Sequence, residues 1–178
     1  WRQLGSLGDA ELERLTGELW PSSLLVFDDR AARDRLAARL SESLLVTGRP
    51  DAGHALFAKI CGNCHKLRGE GGTIGPDLTG SQRSNLAYLI ENIGAPSAET
   101  ADAFRTSLIE TVDGQVIVGV IVRQLPDRIE VQTKDALQVL ERSEIGAVAP
   151  SGRSLMPDGL AETLTDQELA DLIAYLRR

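Results

Sequence analysis

Residues 61–65 read Cys-Gly-Asn-Cys-His, and Cys61 and Cys64 are the only two cysteines among 178 residues. Two thiols at that spacing, followed at once by a histidine, are the signature of covalent haem attachment. Each thiol adds across one vinyl group of the porphyrin, and the two-residue gap lets a single tight turn reach both. His65, fixed behind the second thioether, then meets the iron as proximal ligand. Met156, in Ser154-Leu155-Met156-Pro157, is the only methionine of the chain. A thioether is a soft ligand that, paired with imidazole, favours ferrous iron and raises the reduction potential. Most methionines fill core gaps, but beside a haem motif Met156 reads as the second axial ligand. His54, the only other histidine, is its competitor and sits on a helical segment ahead of Cys61.

Other uses of the thiols fit less well. A structural zinc site takes four ligands, commonly two Cys/His pairs. Here the set is Cys61, Cys64, His65 and a distant His54, and adjacent Cys64 and His65 do not readily share one tetrahedral ion. A thioredoxin-like pair needs a strand before it and a helix opening at the first cysteine. The residues before Cys61 instead read as helix and those after it as loop.

Composition agrees with a haem. Hydrophobic residues make up 42% of the chain but aromatics only 4%, so the porphyrin would supply a large apolar disc for the core to pack against. A net charge of −7 and a pI near 4.9 argue against nucleic acid or an anionic membrane as partner. No apolar run approaches the ~20 residues of a spanning helix, and no signal peptide is visible. Covalent haem attachment takes place outside the cytoplasm, and the chain begins at Trp1. The expectation is a periplasmic or otherwise exported protein, either a processed chain or a piece of a longer one.

The elements that must position these residues are legible in outline. Residues 51–60 read as a short amphipathic helix with Leu56, Phe57 and Ile60 on one face, Asp51 at its start and Gly53 leaving a flat spot for another helix. Thr165 with Glu168 forms a capping box ahead of a final helix whose apolar face is Leu169, Leu172, Ile173 and Leu176. Residues 82–93 predict a middle helix starting near Ser84 or Asn85. Its Leu86, Leu89, Ile90 and Ile93 face inward, and Arg83 and Tyr88 are candidates for haem propionate or pocket contacts. Between this helix and Met156 the period changes from helical to alternating. Strands are expected over Phe104–Val112, Val116–Arg123, Arg128–Thr133, Leu137–Leu140 and Ala147–Ala149. Asp113-Gly114 marks a tight turn, and Arg142–Ile145 a helical turn. Val116, Val118, Val120 and Val122 share one face of the second strand, Ile117 and Ile121 the other. Residues 1–50 carry no chemistry: Asp9–Leu19 and Asp29–Leu45 read as helices around Trp20-Pro21, with Arg30, Arg33, Arg35 and Arg39 as a solvated face. Trp1 and Trp20 are expected to pack this segment on the rest.

Gly53, Phe57 and Cys61 at four-residue spacing, with Leu172 and Tyr175 in the last helix, resemble the crossed terminal helix pair of class I cytochromes c. Gly71-Gly72-Thr73-Ile74-Gly75-Pro76-Asp77-Leu78 resembles that family's Gly-Pro-x-Leu loop, and the resemblance implies that the Pro76 carbonyl accepts a hydrogen bond from His65. The five strands resemble an Sm-like small barrel. From about residue 51 onward the whole pattern, including Ser154-Leu155-Met156-Pro157-Asp158-Gly159-Leu160 before Asp171-Leu172-Ile173-Ala174-Tyr175-Leu176, resembles the Pirellula/Verrucomicrobium-type haem-binding domain, which occurs at the end of large exported proteins carrying dehydrogenase propellers.

The fold expected is therefore mainly α, a class I cytochrome c fold with an inserted small antiparallel β-barrel. Residues 1–50 are the helical extension or linker, 51–100 the first part of the cytochrome, 101–150 the inserted barrel, and 151–178 the second part with the Met loop and C-terminal helix. The function expected is electron transfer by one covalently bound haem c with His/Met ligation. The domain is not itself an enzyme, and it accepts electrons from a partner dehydrogenase or one in the same parent chain. Lys59, Lys66 and Arg68 offer a basic edge to an acidic donor. The alternative is a peroxidase-like haem enzyme or ligand sensor in which Met156 is displaceable.

Overall fold

The computed structural model describes residues 30–98 and 100–178; the helix expected over Asp9–Leu19 and the packing of Trp1 and Trp20 lie outside them. The helices are α1 (Arg30–Arg39), α2 (Glu42–Leu45), α3 (Pro50–Ile60), α4 (Leu86–Gly94) and α5 (Asp166–Arg177). The single helix expected over Asp29–Leu45 is broken at Leu40-Ser41, where the Ser41 hydroxyl accepts the Leu44 amide and caps α2. Pro50 at the first position of α3 has no amide to satisfy. Asn85 caps α4 by accepting the amides of Ala87 and Tyr88, and Thr165 with Glu168 forms the capping box of α5. Among the described residues no helix is long and apolar enough to cross a membrane.

α3 crosses α5 at Gly53. A Cβ there would lie 2.0 Å from the Asp171 carbonyl oxygen and 2.7 Å from Tyr175 Cβ, so only glycine permits the approach. Phe57, Leu169, Leu172, Ile173 and Leu176 seal the crossing, joined by Leu36 and Leu40 from the α1 segment and Leu89 from α4. Asp171 is 1% exposed at this seam. Its carboxylate accepts the Arg49 amide at 2.8 Å just ahead of α3, the Arg49 guanidinium at 2.7 Å and the Gln167 side chain at 2.8 Å. These bonds, the Arg49 side chain first, hold its carboxyl near pKa 2 against the opposing effect of burial.

Arg33, Arg35 and Arg39 of α1 also pair with other elements, while Arg30 and Arg35 stay exposed. Arg39 donates to the carbonyls of Ala161 and Leu164, both at 2.6 Å, and pairs with Asp166. Arg35 pairs with Glu162, and Arg33 reaches Glu91 on α4. The helix thus clips the segment that leads into α5.

Among the described residues seven strands accompany the helices. β1 (Lys66–Leu67) and β2 (Glu70–Gly71) form a small hairpin. β3 (Arg105–Thr111), β4 (Val116–Gln124), β5 (Arg128–Gln132), β6 (Leu137–Glu141) and β7 (Ile145–Ser154) form one antiparallel sheet in the order β6-β5-β4-β3-β7. Two expectations are overturned. Of the described residues 38% are helical and 27% lie in strands, so the chain is not mainly α. The sheet is also open, with no ladder from β6 to β7, and is not the closed small barrel expected. The physical reason lies in β6, which is five residues long and almost wholly exposed; its free edge has no buried ladder to complete. One face of the sheet carries its apolar core. Ile109, Ile129 and Val131 form that core with Ile117, Ile121, Leu140, Ile145 and Val148. The isoleucine face of β4 packs in that core; on the valine face Val116, Val118 and Val122 are exposed and Val120 is buried.

Asp171→Asn is expected to lower stability at pH 7 by about 1–3 kcal/mol, the cost of weakening a buried acceptor. Because the folded carboxyl lies near 2 and an ordinary one near ~4, its contribution is complete above the ordinary value and disappears as pH falls through the folded one. Urea unfolding of both proteins from pH 7 to pH 2 should show the difference closing in that interval. A difference independent of pH would contradict this role.

Candidate haem site

The attachment motif begins where α3 ends. The amides of Cys61 and Gly62 both donate to the Phe57 carbonyl, and those of Cys64 and His65 to the Cys61 carbonyl, so the five residues form one tight turn continuing from the helix. The glycine-rich loop then folds back over this turn: the Gly72 amide donates to the Gly62 carbonyl and the Gly75 amide to the Cys64 carbonyl, each at 2.8 Å. Gly75 passes directly over the imidazole, where a Cβ would lie 2.7 Å from His65 Cε1. One residue later the Pro76 carbonyl accepts a hydrogen bond from His65 Nδ1 at 3.0 Å. A carbonyl cannot donate, so Nδ1 carries a proton, the tautomer that in a neutral ring leaves the Nε2 lone pair for a metal.

Met156 arrives from the other end of the chain, 91 positions after His65, in the loop that follows β7. Its amide donates to Ser154 Oγ at 3.1 Å, and the Ser154 amide to Ser97 Oγ at 3.2 Å. Cys61, Cys64, His65, Pro76, Arg83, Tyr88 and Met156 all line one cavity of about 320 Å³. Its remaining wall is largely apolar, with Ile60, Ile74, Leu89, Ile93, Phe104 and Leu160 among the contributors. Two thiols, an imidazole with Nε2 available and a thioether around an apolar cavity are a donor set that fits a covalently held haem.

Three of the candidate residues are engaged by other parts of the fold. His54 lies outside the cavity: its Nε2 is 2.9 Å from a Glu70 carboxylate oxygen and its ring packs 5.0 Å from that of Tyr175. Arg83 is on the wall, but its guanidinium donates to the carbonyls of Leu78 (2.7 Å), Leu176 (2.6 Å) and Thr79 (3.2 Å). It ties the loop after Pro76 to the last turn of α5, a favourable place for a cation. Arg68 is exposed, with its guanidinium over the Tyr175 ring at 5.0 Å. Residues without a signal in the sequence also contribute. Val120 lines the cavity and is 6% exposed, while Val118 on the same face is 43% exposed. Alternation marks the face but not which of its valines is covered. Asn92 and Phe104 complete this side.

Burial, and secondarily the neighbouring Cys64, pushes the Cys61 thiol up to about pKa 11. Cys61 also caps the C-terminal end of α3, where the helix dipole disfavours an anion. An exchange-active dithiol has the opposite setting, a thiolate favoured by a helix N-terminus. Cys61 is therefore built as a neutral thiol facing an apolar cavity.

Residues 48–112 match the family model of cytochrome c oxidase, cbb3-type, subunit III. The match supports a c-type cytochrome haem-binding domain. It spans α3, the attachment turn, the Pro76 loop and α4, and stops short of the Met156 loop. Such a domain holds haem c covalently and is in general a carrier that passes electrons to redox partners, not an enzyme. No curated protein matches the chain.

In the haem-free protein, Cys61 should react slowly with iodoacetamide at neutral pH, with a rate that rises until pH nears 11. Mass mapping of the alkylated peptide reads this directly; rapid neutral-pH labelling of Cys61 would mark an activated redox thiol instead.

Proposed function

We propose that the domain is a one-electron carrier in which Cys61 and Cys64 hold the haem by thioethers and His65 and Met156 are its axial ligands. The observation that carries this reading is that residues 61, 64, 65 and 156, brought from two ends of the fold, line one cavity. The bound haem supplies reversible exchange between ferric and ferrous iron. The chain's own residues set the terms. Pro76 fixes the His65 ring and strengthens it as a donor. Met156 counters that with a soft sulfur favouring the ferrous state, and the apolar wall raises the potential further by disfavouring the extra charge of ferric iron. Tyr88, and the two Arg83 donors left over from its three backbone bonds, supply contacts to the haem carboxylates.

The partner is a redox protein, and the resemblance of residues 51–178 to the Pirellula/Verrucomicrobium-type domain favours a dehydrogenase, linked or separate, as donor. Cytochrome c domains are typically exported, and the periplasm is the location that fits covalent haem attachment. Residues 101–150 are read as a module set between the two halves of the cytochrome.

Replacing Met156 by alanine tests the ligand assignment. The potential is expected to fall by roughly 0.1 V or more, within the ~0.8 V that axial ligation spans. The long-wavelength sulfur-to-ferric-iron band should vanish, and the ferrous form should gain carbon monoxide binding. Unchanged potential, spectrum and carbon monoxide response would remove Met156 from the iron.

A further inference from the structure

The end of the sheet that feeds the Met156 loop is its most irregular part. Between the pairs Arg105↔Ser154 and Ser107↔Pro150, β7 has three residues, Ser151, Gly152 and Arg153, opposite Thr106 alone. Gly152 has a positive φ of 67°, as such a bulge demands. Thr106 and Ser151 are each 1% exposed, and their hydroxyls hydrogen-bond to one another. Thr106 Oγ1 donates to the Arg153 carbonyl at 2.7 Å, while Ser151 Oγ accepts the Arg153 amide at 3.1 Å. Two buried hydroxyls thus satisfy each other and fix both backbone groups of one residue. The next residue is anchored by Ser97, and its own hydroxyl accepts the Met156 amide. Beyond Met156, Asp158 returns to the Arg153 guanidinium at 3.2 Å and closes the loop across the methionine.

Bulges beside functional sites re-aim a side chain. Here the bulge is held by the two buried hydroxyls of Thr106 and Ser151. We infer that the sheet is the positioning frame for the Met156 sulfur, with Thr106 and Ser151 as the positioning residues that keep the ligand loop ordered around the iron. This rests on Met156 being an axial ligand. A thioether is neutral and binds ferric iron weakly, so the ordering of its loop decides how easily an exogenous ligand takes its place. A loop ordered in advance by the sheet loses little freedom when the sulfur binds; a loose one loses more and yields the iron.

The test uses the full chain with haem attached and reads imidazole binding to the ferric form, together with the temperature at which the long-wavelength sulfur-to-iron band disappears. Thr106→Val with Ser151→Ala should bind imidazole about tenfold more tightly than the unmodified protein and lose the band at a lower temperature. Thr133→Val is the control, because it removes a buried hydroxyl that bonds the Ala136 carbonyl at the far β5–β6 turn; it should match the unmodified protein. If the double variant binds imidazole no better than Thr133→Val, the positioning role is wrong. Should the double variant fail to fold, Ser97→Ala, which leaves the sheet intact, must show the same gain in imidazole affinity or the inference falls. Met156→Ala supplies the reference: if it binds imidazole no more tightly than the unmodified protein, the ligation reading itself has failed rather than the frame.

Discussion

The crossing of α3 and α5 at Gly53 is the contact on which the rest of the arrangement depends. With 2.0 Å from the place of a Cβ to the Asp171 carbonyl oxygen, the backbones meet with no side chain between them. That closeness fixes the C-terminal end of α3, and with it Cys61, Cys64 and His65, relative to the start of α5 and the loop before it. Asp171 reinforces the same contact by bonding the amide of Arg49 just ahead of α3. Residues 91 positions apart can therefore face one cavity without relying on the intervening chain to span the distance.

The second layer of organisation controls the chemistry of the donors. The glycine loop closes over the attachment turn so tightly that Gly75 touches the His65 ring, and Pro76, the next residue, settles which nitrogen carries the proton. Burial keeps the Cys61 thiol neutral. On the opposite wall the sheet contributes Val120 and, through its bulge, the approach to Met156. From the C-terminal side, Arg39 holds the carbonyls of Ala161 and Leu164, downstream of the same loop. The β-strands and the first helix thus both connect to the chain on either side of Met156.

How much of this could be read from the residues depended on whether the determinant was local. The cysteine spacing, the Thr165–Glu168 capping box, the need for glycine at 53 and the strand periodicity are properties of a few neighbouring residues, and they are found close to where expected, except that the last strand runs over Ile145–Ser154 rather than Ala147–Ala149. Pro76 was legible only through its resemblance to a family loop. Closure of the sheet was not legible, because the edge pairing of β6 leaves no mark in a five-residue segment. Nor was the role of Arg33, Arg35 and Arg39, since an arginine that will meet a distant carbonyl has the same helical spacing as one that meets water. Valine and isoleucine alternate on β4 with equal hydrophobicity, so the pattern gave two faces and no choice of the inner one. Thr106 and Ser151 carry no local signal, for a hydroxyl pair 45 positions apart is visible only once the register of β3 and β7 is known.

The central claim is that one iron is held between His65 and Met156. Iron-edge X-ray absorption of the oxidised and reduced protein measures that shell directly. The account predicts nitrogen scatterers with a single sulfur in both oxidation states, and loss of the sulfur in Met156→Ala. A shell of nitrogen and oxygen alone, or a sulfur that survives the Met156→Ala substitution, would contradict it.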